Sequence, residues 1–227
     1  MENIVEYIPI LTTIFAVYFV IEIYNHYKRR RTKYLLWWTI GVVTFGLGTL
    51  SESYNVLFGW GPINLKFWYI VGALLGGFPL AQGTVYLLMK KKFANISSII
   101  MIALVFVASI CIVLTPITLP EDFDFKLTGA VFEWKWVRLF SPIINLYAFV
   151  FLVGGAVYSA IKYYYKKDKQ ARFIGNIYIA FGALLPGIGG SFTRFGYVNA
   201  LFVTEFIGLV LIYVGYKIIK ENKTSLK

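Results

Sequence analysis

Seven apolar runs, each about as long as a bilayer-spanning helix, constrain this chain more than any other feature. They cover residues 7–24, 34–51, 67–89, 96–115, 139–163, 173–192 and 200–218. A helix of about 20 mostly apolar residues crosses the hydrocarbon core of a bilayer. Hydrophobic residues make up 59% of the chain and charged residues only 15%. The sequence therefore predicts an all-α, polytopic membrane protein, a seven-transmembrane-helix bundle in the plasma membrane of a prokaryote.

Lysine and arginine are concentrated in alternate loops. Basic clusters lie at 28–33, 90–92, 166–172 and 220–227, whereas the opposite side of the predicted membrane carries most of the acidic loop residues. Because basic loops stay in the cytoplasm, the sequence predicts an outside N-terminus and a cytoplasmic C-terminus. The net charge of +11 then reflects topology and contact with anionic lipids. It does not indicate nucleic-acid binding, which gathers basic residues on one face.

The seven runs occupy most of the chain, so we predict a single transmembrane domain over 1–227 without a separate soluble domain. The segments AVYFVIEIY (16–24) and AVYSAIKYY (156–164) share Ala-Val-Tyr, an Ile and a Tyr, and both precede basic loops. One interpretation is a 3+1+3 parallel repeat, with units 1–93 and 139–220 joined by helix 4, which would place a site between the units. The other is chance similarity between aromatic-rich helices.

The 3+1+3 plan with an outside N-terminus is similar to that of microbial opsins and SWEET sugar transporters. The segment HYKRRRTKYLLWWTIGVVTFGLGTLSE (26–52) also resembles the seven-helix sensor modules of some bacterial histidine kinases. The opsin resemblance does not extend to retinal, because Phe206 and Gly208 lie where the retinal lysine would be needed, and Lys217 lies at the cytoplasmic end. The sensor resemblance implies a ligand-binding module. Since the sequence shows no downstream transmitter domain, we expect signalling to require a separate membrane or cytoplasmic partner protein.

Few residues could support catalysis. The chain has one histidine, His26, and one cysteine, Cys111. It therefore cannot build a bis-histidine haem or a di-histidine zinc site, and no histidine within a predicted helix could activate a serine nucleophile. We predict that the protein is not an enzyme and that it has no metal site and no cofactor.

A polar set in the outer half of the predicted membrane is the candidate ligand site. Helix 2 brings Ser51, Glu52 and Ser53 to its outer end, helix 3 begins with two aromatic residues, and the hairpin of helices 6 and 7 carries two ionisable groups. A charge at membrane depth faces the protein interior, pairs with a partner or lines water. The predicted ligand-binding residues are Glu52, Trp68, Tyr69, Arg194, Thr204 and Glu205.

A structural role for the same residues stays open. Arg194 could pair with Glu205 or reach the outer headgroups, and the glycines at 46, 48, 187, 189 and 190 could serve either close helix packing or space for a ligand. Deeper amides, Gln82, Asn145 and Asn176, could line an inner path towards the cytosol. Prolines at 79, 142 and 186 favour kinks in three helices.

These observations favour a receptor-like sensor module that binds a small organic or lipidic ligand in an outer-half pocket. One alternative is a small-molecule or ion transporter or channel with its site between two three-helix units. Another is a non-catalytic membrane scaffold, in which the polar residues would only hold the helices together. In all three cases the lipid bilayer is the main partner and nucleic acid is not one.

Overall fold

The computed structural model describes residues 4–121, 123–166, 169–193 and 197–222. Seven helical spans in this part of the chain are long and apolar enough to cross a membrane: Ile4–Arg30, Lys33–Phe58, Pro62–Leu88, Lys91–Leu114, Lys135–Tyr164, Gln170–Thr193 and Val198–Asn222. The all-α layout with seven spans is thus confirmed, and it indicates a multi-pass membrane protein. The predicted orientation of the termini stays a prediction.

The spans contain nine α-helices and two π-helical turns. The α-helices are α1 (Ile8–Arg30), α2 (Lys33–Phe58), α3 (Pro62–Trp68), α4 (Phe78–Leu88), α5 (Lys91–Leu114), α6 (Phe140–Ala148), α7 (Gly154–Tyr164), α8 (Gln170–Thr193) and α9 (Val198–Asn222). The π-helical turns are π1 (Tyr69–Leu74) and π2 (Phe149–Val153). The third span is therefore α3, π1 and α4, and the fifth contains α6, π2 and α7.

The chain forms two compact units, Met1–Ala148 and Phe149–Lys227. Their boundary falls inside the fifth span, between α6 and π2. The single domain and the repeat units 1–93 and 139–220 stay predictions.

In the first unit, α2 packs against α1 on one side and against the third span on another. The apolar core of this unit is shared by the third span, α5, α6 and the long loop before α6. Its fully buried side chains include Leu74, Phe78, Ile112, Phe132 and Ile144. On α5, by contrast, Ile99, Phe106 and Val113 are exposed. Exposed apolar residues in such a run are expected where lipid, and not water, surrounds the helix.

The loop between α5 and α6 folds back onto this core. Ile117 and Phe132 form an antiparallel bridge, with Thr118 N donating to Val131 O at 2.9 Å and Glu133 N donating to Pro116 O at 3.0 Å. These bonds bury Val131 and Phe132 beside the third span. The longest predicted loop is thus a folded cover for one end of the first unit.

Helix α2 is longer than its apolar run. It continues past Ser51, where the apolar run ends, to Phe58, and it buries Ser51, Glu52 and Ser53. Glu52 lies six residues before the end of α2, about 9 Å along the axis at about 1.5 Å per residue. The carboxylate therefore lies inside the span. Its burial is tolerated because the polar residues of this stretch form hydrogen bonds with neighbouring side chains.

In the second unit, α8 and α9 form a closely packed antiparallel hairpin. Glycines recur every seven residues on α8, at Gly175, Gly182 and Gly189, and on α9 at Gly208 and Gly215. A Cβ at Gly182 would lie 2.6 Å from the Gly208 carbonyl oxygen, and one at Gly175 would lie 2.7 Å from the Gly215 carbonyl oxygen. The two backbones therefore touch at positions where only glycine fits, as is common between membrane helices.

Candidate functional site

The third span is interrupted within its length. After α3 the chain makes one π-helical turn, in which Leu75 N donates to Ile70 O at 3.0 Å, and it becomes helical again only at Phe78. The local sequence explains this: Gly72, Gly76 and Gly77 are poor helix formers, and Pro79 has no N–H to donate to the preceding turn. Interrupted spans in membrane proteins commonly mark ligand sites, since their free backbone groups can be used in binding.

Side chains from α2 and α6 bind the backbone at this interruption. Thr44 Oγ1 lies 3.1 Å from Leu75 O and also 3.1 Å from Gly41 O of its own helix, so its proton is shared between the two carbonyls. Ser141 Oγ and Asn145 Nδ2 both lie 3.3 Å from Ala73 O, and Asn145 Nδ2 also donates to Ser141 Oγ at 3.1 Å. In lipid each carbonyl needs an internal donor. These three side chains supply donors to two carbonyls at the break and tie the third span to two neighbouring helices.

Glycine lets α2 approach π1 closely. A Cβ at Gly48 would lie 3.1 Å from Gly72 Cα, and a Cβ at Gly41 would lie 2.8 Å from Leu80 N. The first contact is one helical turn from Glu52 on α2. The predicted packing role of Gly48 is thus seen in the structure, and the same contact places the carboxylate beside the third span.

Glu52 and Trp68 are joined directly. Trp68 Nε1 donates to Glu52 Oε1 at 2.9 Å, and the Glu52 residue is only 3% exposed. Trp68 is the last residue of α3 and immediately precedes π1. Two of the predicted ligand-binding residues therefore meet at the point where the third span leaves α-helical geometry.

The part of α2 that holds Glu52 is anchored on both sides. Ser51 accepts from Asn64 Nδ2 through its carbonyl at 2.9 Å and donates through its hydroxyl to Asn64 Oδ1 at 2.5 Å. On the α1 side, Thr13 Oγ1 donates to Thr49 Oγ1 at 3.0 Å and lies 3.2 Å from Ser53 Oγ. These bonds fix the rotation of α2, so the carboxylate has a defined position.

The neighbouring Tyr69 packs against the folded loop before α6. Its ring packs edge-on against Phe132, with ring centroids 5.0 Å apart, and a Cβ at Gly129 would lie 2.5 Å from it. Tyr69 is buried in the apolar core. It connects the start of π1 to the folded loop that covers this end of the unit.

Gln82 and Tyr147 form a second polar cluster on the α4 side of the interruption. The fully buried Gln82 donates to Ala94 O at 2.9 Å, and Tyr147 Oη donates to Gln82 Oε1 at 2.6 Å. Ser97 Oγ lies 3.4 Å from the same amide nitrogen. Gln82 and Asn145, both predicted to line an inner path, thus form hydrogen bonds between helices, and the path itself stays a prediction.

The remaining predicted site residues belong to the second unit. Thr204 donates to Ala200 O at 2.8 Å within its own helix and packs against Gly189, while Glu205 is half-buried on α9. Asn176 donates to Arg172 O at 2.6 Å, also within its own helix. Arg194 lies outside the described residues. The predicted pairing of Arg194 with Glu205, and a site that combines both units, stay predictions.

Several residues of the site were missed by the sequence reasoning. Thr44 and Ser141 are single hydroxyls in apolar runs, and Asn64 lies before the predicted start of the third span. The sequence signal that could have found them is the glycine-rich stretch before Pro79. It indicates that the third helix is interrupted there and that its free backbone groups need hydrogen-bond partners. In the described residues, no three His, Cys, Asp or Glu side chains are grouped so as to hold a metal ion.

No protein-family model matches this chain, and no curated protein or solved structure shows a significant match to it. Its function therefore has to be inferred from its own residues.

Proposed function

We propose that this protein is a receptor-like sensor module that binds a small organic or lipidic ligand through the Glu52 carboxylate. The observation that supports the proposal is the hydrogen bond between Trp68 Nε1 and Glu52 Oε1, 2.9 Å long, at the start of the interruption in the third span. A buried carboxylate in a membrane helix is expensive to maintain and commonly has a functional role. On the orientation that the loop charges predict, it lies in the outer half of the membrane.

The ligand that fits this chemistry carries a hydroxyl or amine that donates to a carboxylate. Such a group competes with the Trp68 indole for Glu52, so binding releases the indole next to π1. An aromatic wall with a few polar groups is the usual lining of a site for organic molecules. A ligand that prefers one arrangement of Trp68 would shift the population of the interrupted span towards that arrangement.

The interruption is the element through which binding would act on the rest of the first unit. Its carbonyls at Ala73 and Leu75 depend on hydroxyl and amide donors from α2 and α6. A change at π1 would therefore alter bonds to two other helices. The signal would pass to a membrane or cytoplasmic partner protein, and we propose no catalytic activity, since the sequence offers neither an acid–base pair nor a metal-ligand set.

Transport is the second candidate function, and the interrupted third span favours it. Secondary transporters build their sites from such broken helices, and Gln82 lies on the other side of the break from Glu52. Uptake of a compound into proteoliposomes would favour the transporter, whereas binding without uptake favours the sensor. A scaffold would show neither property.

The proposal is tested by identifying small molecules that copurify with the protein. The wild-type chain and the variants Glu52→Gln and Glu133→Gln are purified in mild detergent, and their organic extracts are compared by mass spectrometry. Glu133 is an exposed carboxylate in the loop before α6, so its variant is a matched control. We expect a compound enriched with the wild type and with Glu133→Gln but depleted at least tenfold with Glu52→Gln.

Thermal unfolding of all three proteins separates binding from folding. Equal extracts from the three proteins, when all three unfold at similar temperatures, would contradict a site at Glu52. A structure in lipid nanodiscs then gives a second readout, because bound density beside Trp68 is expected and a closed Glu52–Trp68 contact without it favours a scaffold.

A further inference from the structure

An apolar groove runs between α7 and α8 in the second unit. Its volume is about 330 Å³, at the lower end of the range of about 300–1,000 Å³ that ligand sites occupy. Two buried alanines, Ala160 on α7 and Ala180 on α8, line the groove along with larger apolar and aromatic side chains. Small residues at these two positions leave the space between the helices open.

Aromatic rings surround the end of the groove near the α7–α8 loop. Tyr164 packs edge-on against Tyr165 and against Phe173, with ring centroids 4.7 and 5.2 Å apart. Both tyrosines line the groove, and Tyr165 is 88% exposed. Tyrosine side chains with apolar rings and polar hydroxyls are typical of the level of lipid headgroups.

The loop that connects the two groove helices is basic. Its sequence after Tyr165 is KKDK, which carries three lysines and one aspartate, and Lys166 is exposed. At the same end, Arg172 Nη1 donates to Tyr163 Oη at 3.3 Å and the guanidinium lies 5.2 Å from the tyrosine ring centroid. Towards the α7–α8 loop, the apolar groove is thus followed first by tyrosines and then by positively charged side chains.

We propose that this groove binds one acyl chain of an anionic phospholipid, whose headgroup is bound by Lys166 and Lys169. The apolar lining matches a hydrocarbon chain, and the basic loop distinguishes an anionic headgroup from a zwitterionic one. On the predicted orientation this loop is cytoplasmic, where anionic lipids are concentrated. The site lies entirely within the second unit and is independent of the proposed ligand site at Glu52.

The test is native mass spectrometry of the full chain in detergent with an equimolar mixture of phosphatidylglycerol and phosphatidylcholine that have identical acyl chains. The wild type is expected to retain more phosphatidylglycerol. Lys166→Gln combined with Lys169→Gln is expected to reduce this preference about fivefold per lysine, as for basic residues at an anionic surface. Lys91→Gln combined with Lys92→Gln, at the start of α5, is the matched control and is expected to keep the preference.

Filling the groove tests the acyl-chain site separately. Ala180→Phe is expected to reduce retention of both lipids severalfold, whereas Ala103→Phe, at an exposed alanine of α5, is expected to leave it unchanged. Equal retention of the two lipids by the wild type would overturn the proposal. So would equal loss of the phosphatidylglycerol preference in the two lysine pairs, or equal retention by the two phenylalanine variants. The lysine variants lie in loops or at a helix start, so the headgroup test does not depend on the folding of Ala180→Phe.

Discussion

At the scale of single residues, hydroxyl and amide side chains of this protein donate the hydrogen bonds that water donates to free backbone carbonyls in a soluble protein. Thr44, Ser141 and Asn145 donate to backbone carbonyls that the third span leaves without helical partners. Because hydrocarbon offers no donors, such side chains are tolerated inside a membrane helix where they have a partner.

Thr44→Val tests this role at constant side-chain shape. Valine removes the donor to Leu75 O while keeping the volume, so we expect the free energy of unfolding to fall by about 0.5–1.5 kcal/mol. The measurement is thermal or denaturant unfolding in one detergent. Wild-type stability in this variant would mean that another group readily takes over the Leu75 carbonyl.

Thr39→Val is the matched control. Thr39 is on the same helix and similarly buried, at 7% against 9% exposure for Thr44, but the hydroxyl bond observed for it, to Leu35 O at 2.8 Å, stays within its own turn. We therefore expect Thr39→Val to change stability less than Thr44→Val.

Residue chemistry predicted only part of the candidate site. Glu52 was identified because it belongs to a polar set at the outer end of the second predicted span, and Trp68 because it is an aromatic residue at the start of the next span. The bond between them depends on the rotation of α2, which Thr13 on α1 and Asn64 on α3 fix from other helices. Such positions are set by tertiary contacts and not by local sequence.

At the scale of elements, glycine spacing decides which helices pack most closely. On α8 and α9 the glycines follow a seven-residue spacing, so they fall on one face of each helix and let the backbones touch. The sequence reasoning identified the glycine-rich end of α8 but missed this spacing. Gly189 faces Thr204, whereas Gly187 and Gly190 have open space around them.

Gly182→Ala tests the close contact between these helices. The new Cβ would lie 2.6 Å from the Gly208 carbonyl oxygen, so the backbones must separate, and we expect a loss of about 1–3 kcal/mol in stability. The measurement is unfolding in detergent, with helix content followed by circular dichroism.

Gly187→Ala, on the same helix, is the control. Among the described residues, nothing beyond its own stretch of helix lies within 4 Å of the position of its Cβ, and alanine favours the helix by up to about 1 kcal/mol. We expect equal or higher stability. A similar loss in both variants would point to helix flexibility, and not to backbone contact, as the reason for the glycines.

At the scale of the whole molecule, the distribution of charge predicts how the chain lies in the membrane. The loops between the first and second, third and fourth, and fifth and sixth spans are basic. On the orientation that this rule predicts, the Glu52 site would lie in the outer half of the membrane and the lipid groove would open at the cytoplasmic leaflet.

Single-cysteine labelling tests this orientation. In a Cys111→Ala background, which removes the one native thiol, Glu133→Cys is expected to react with a membrane-impermeant maleimide in intact cells. Lys91→Cys is expected to react only after permeabilisation. Both native residues are exposed, so the two cysteines are equally accessible within the fold. Labelling of Lys91→Cys but not Glu133→Cys in intact cells would reverse the side of the membrane assigned to each site.

The sequence by itself determined the number and the approximate position of the seven spans. Span formation is a local property, because any sufficiently long apolar run in lipid must satisfy its backbone within one helix. Tertiary structure alone decided how the interrupted third span is held and that Glu52 meets Trp68. These features depend on hydrogen bonds and glycine contacts between residues that are distant in sequence, and a local pattern carries no information about which helices come together.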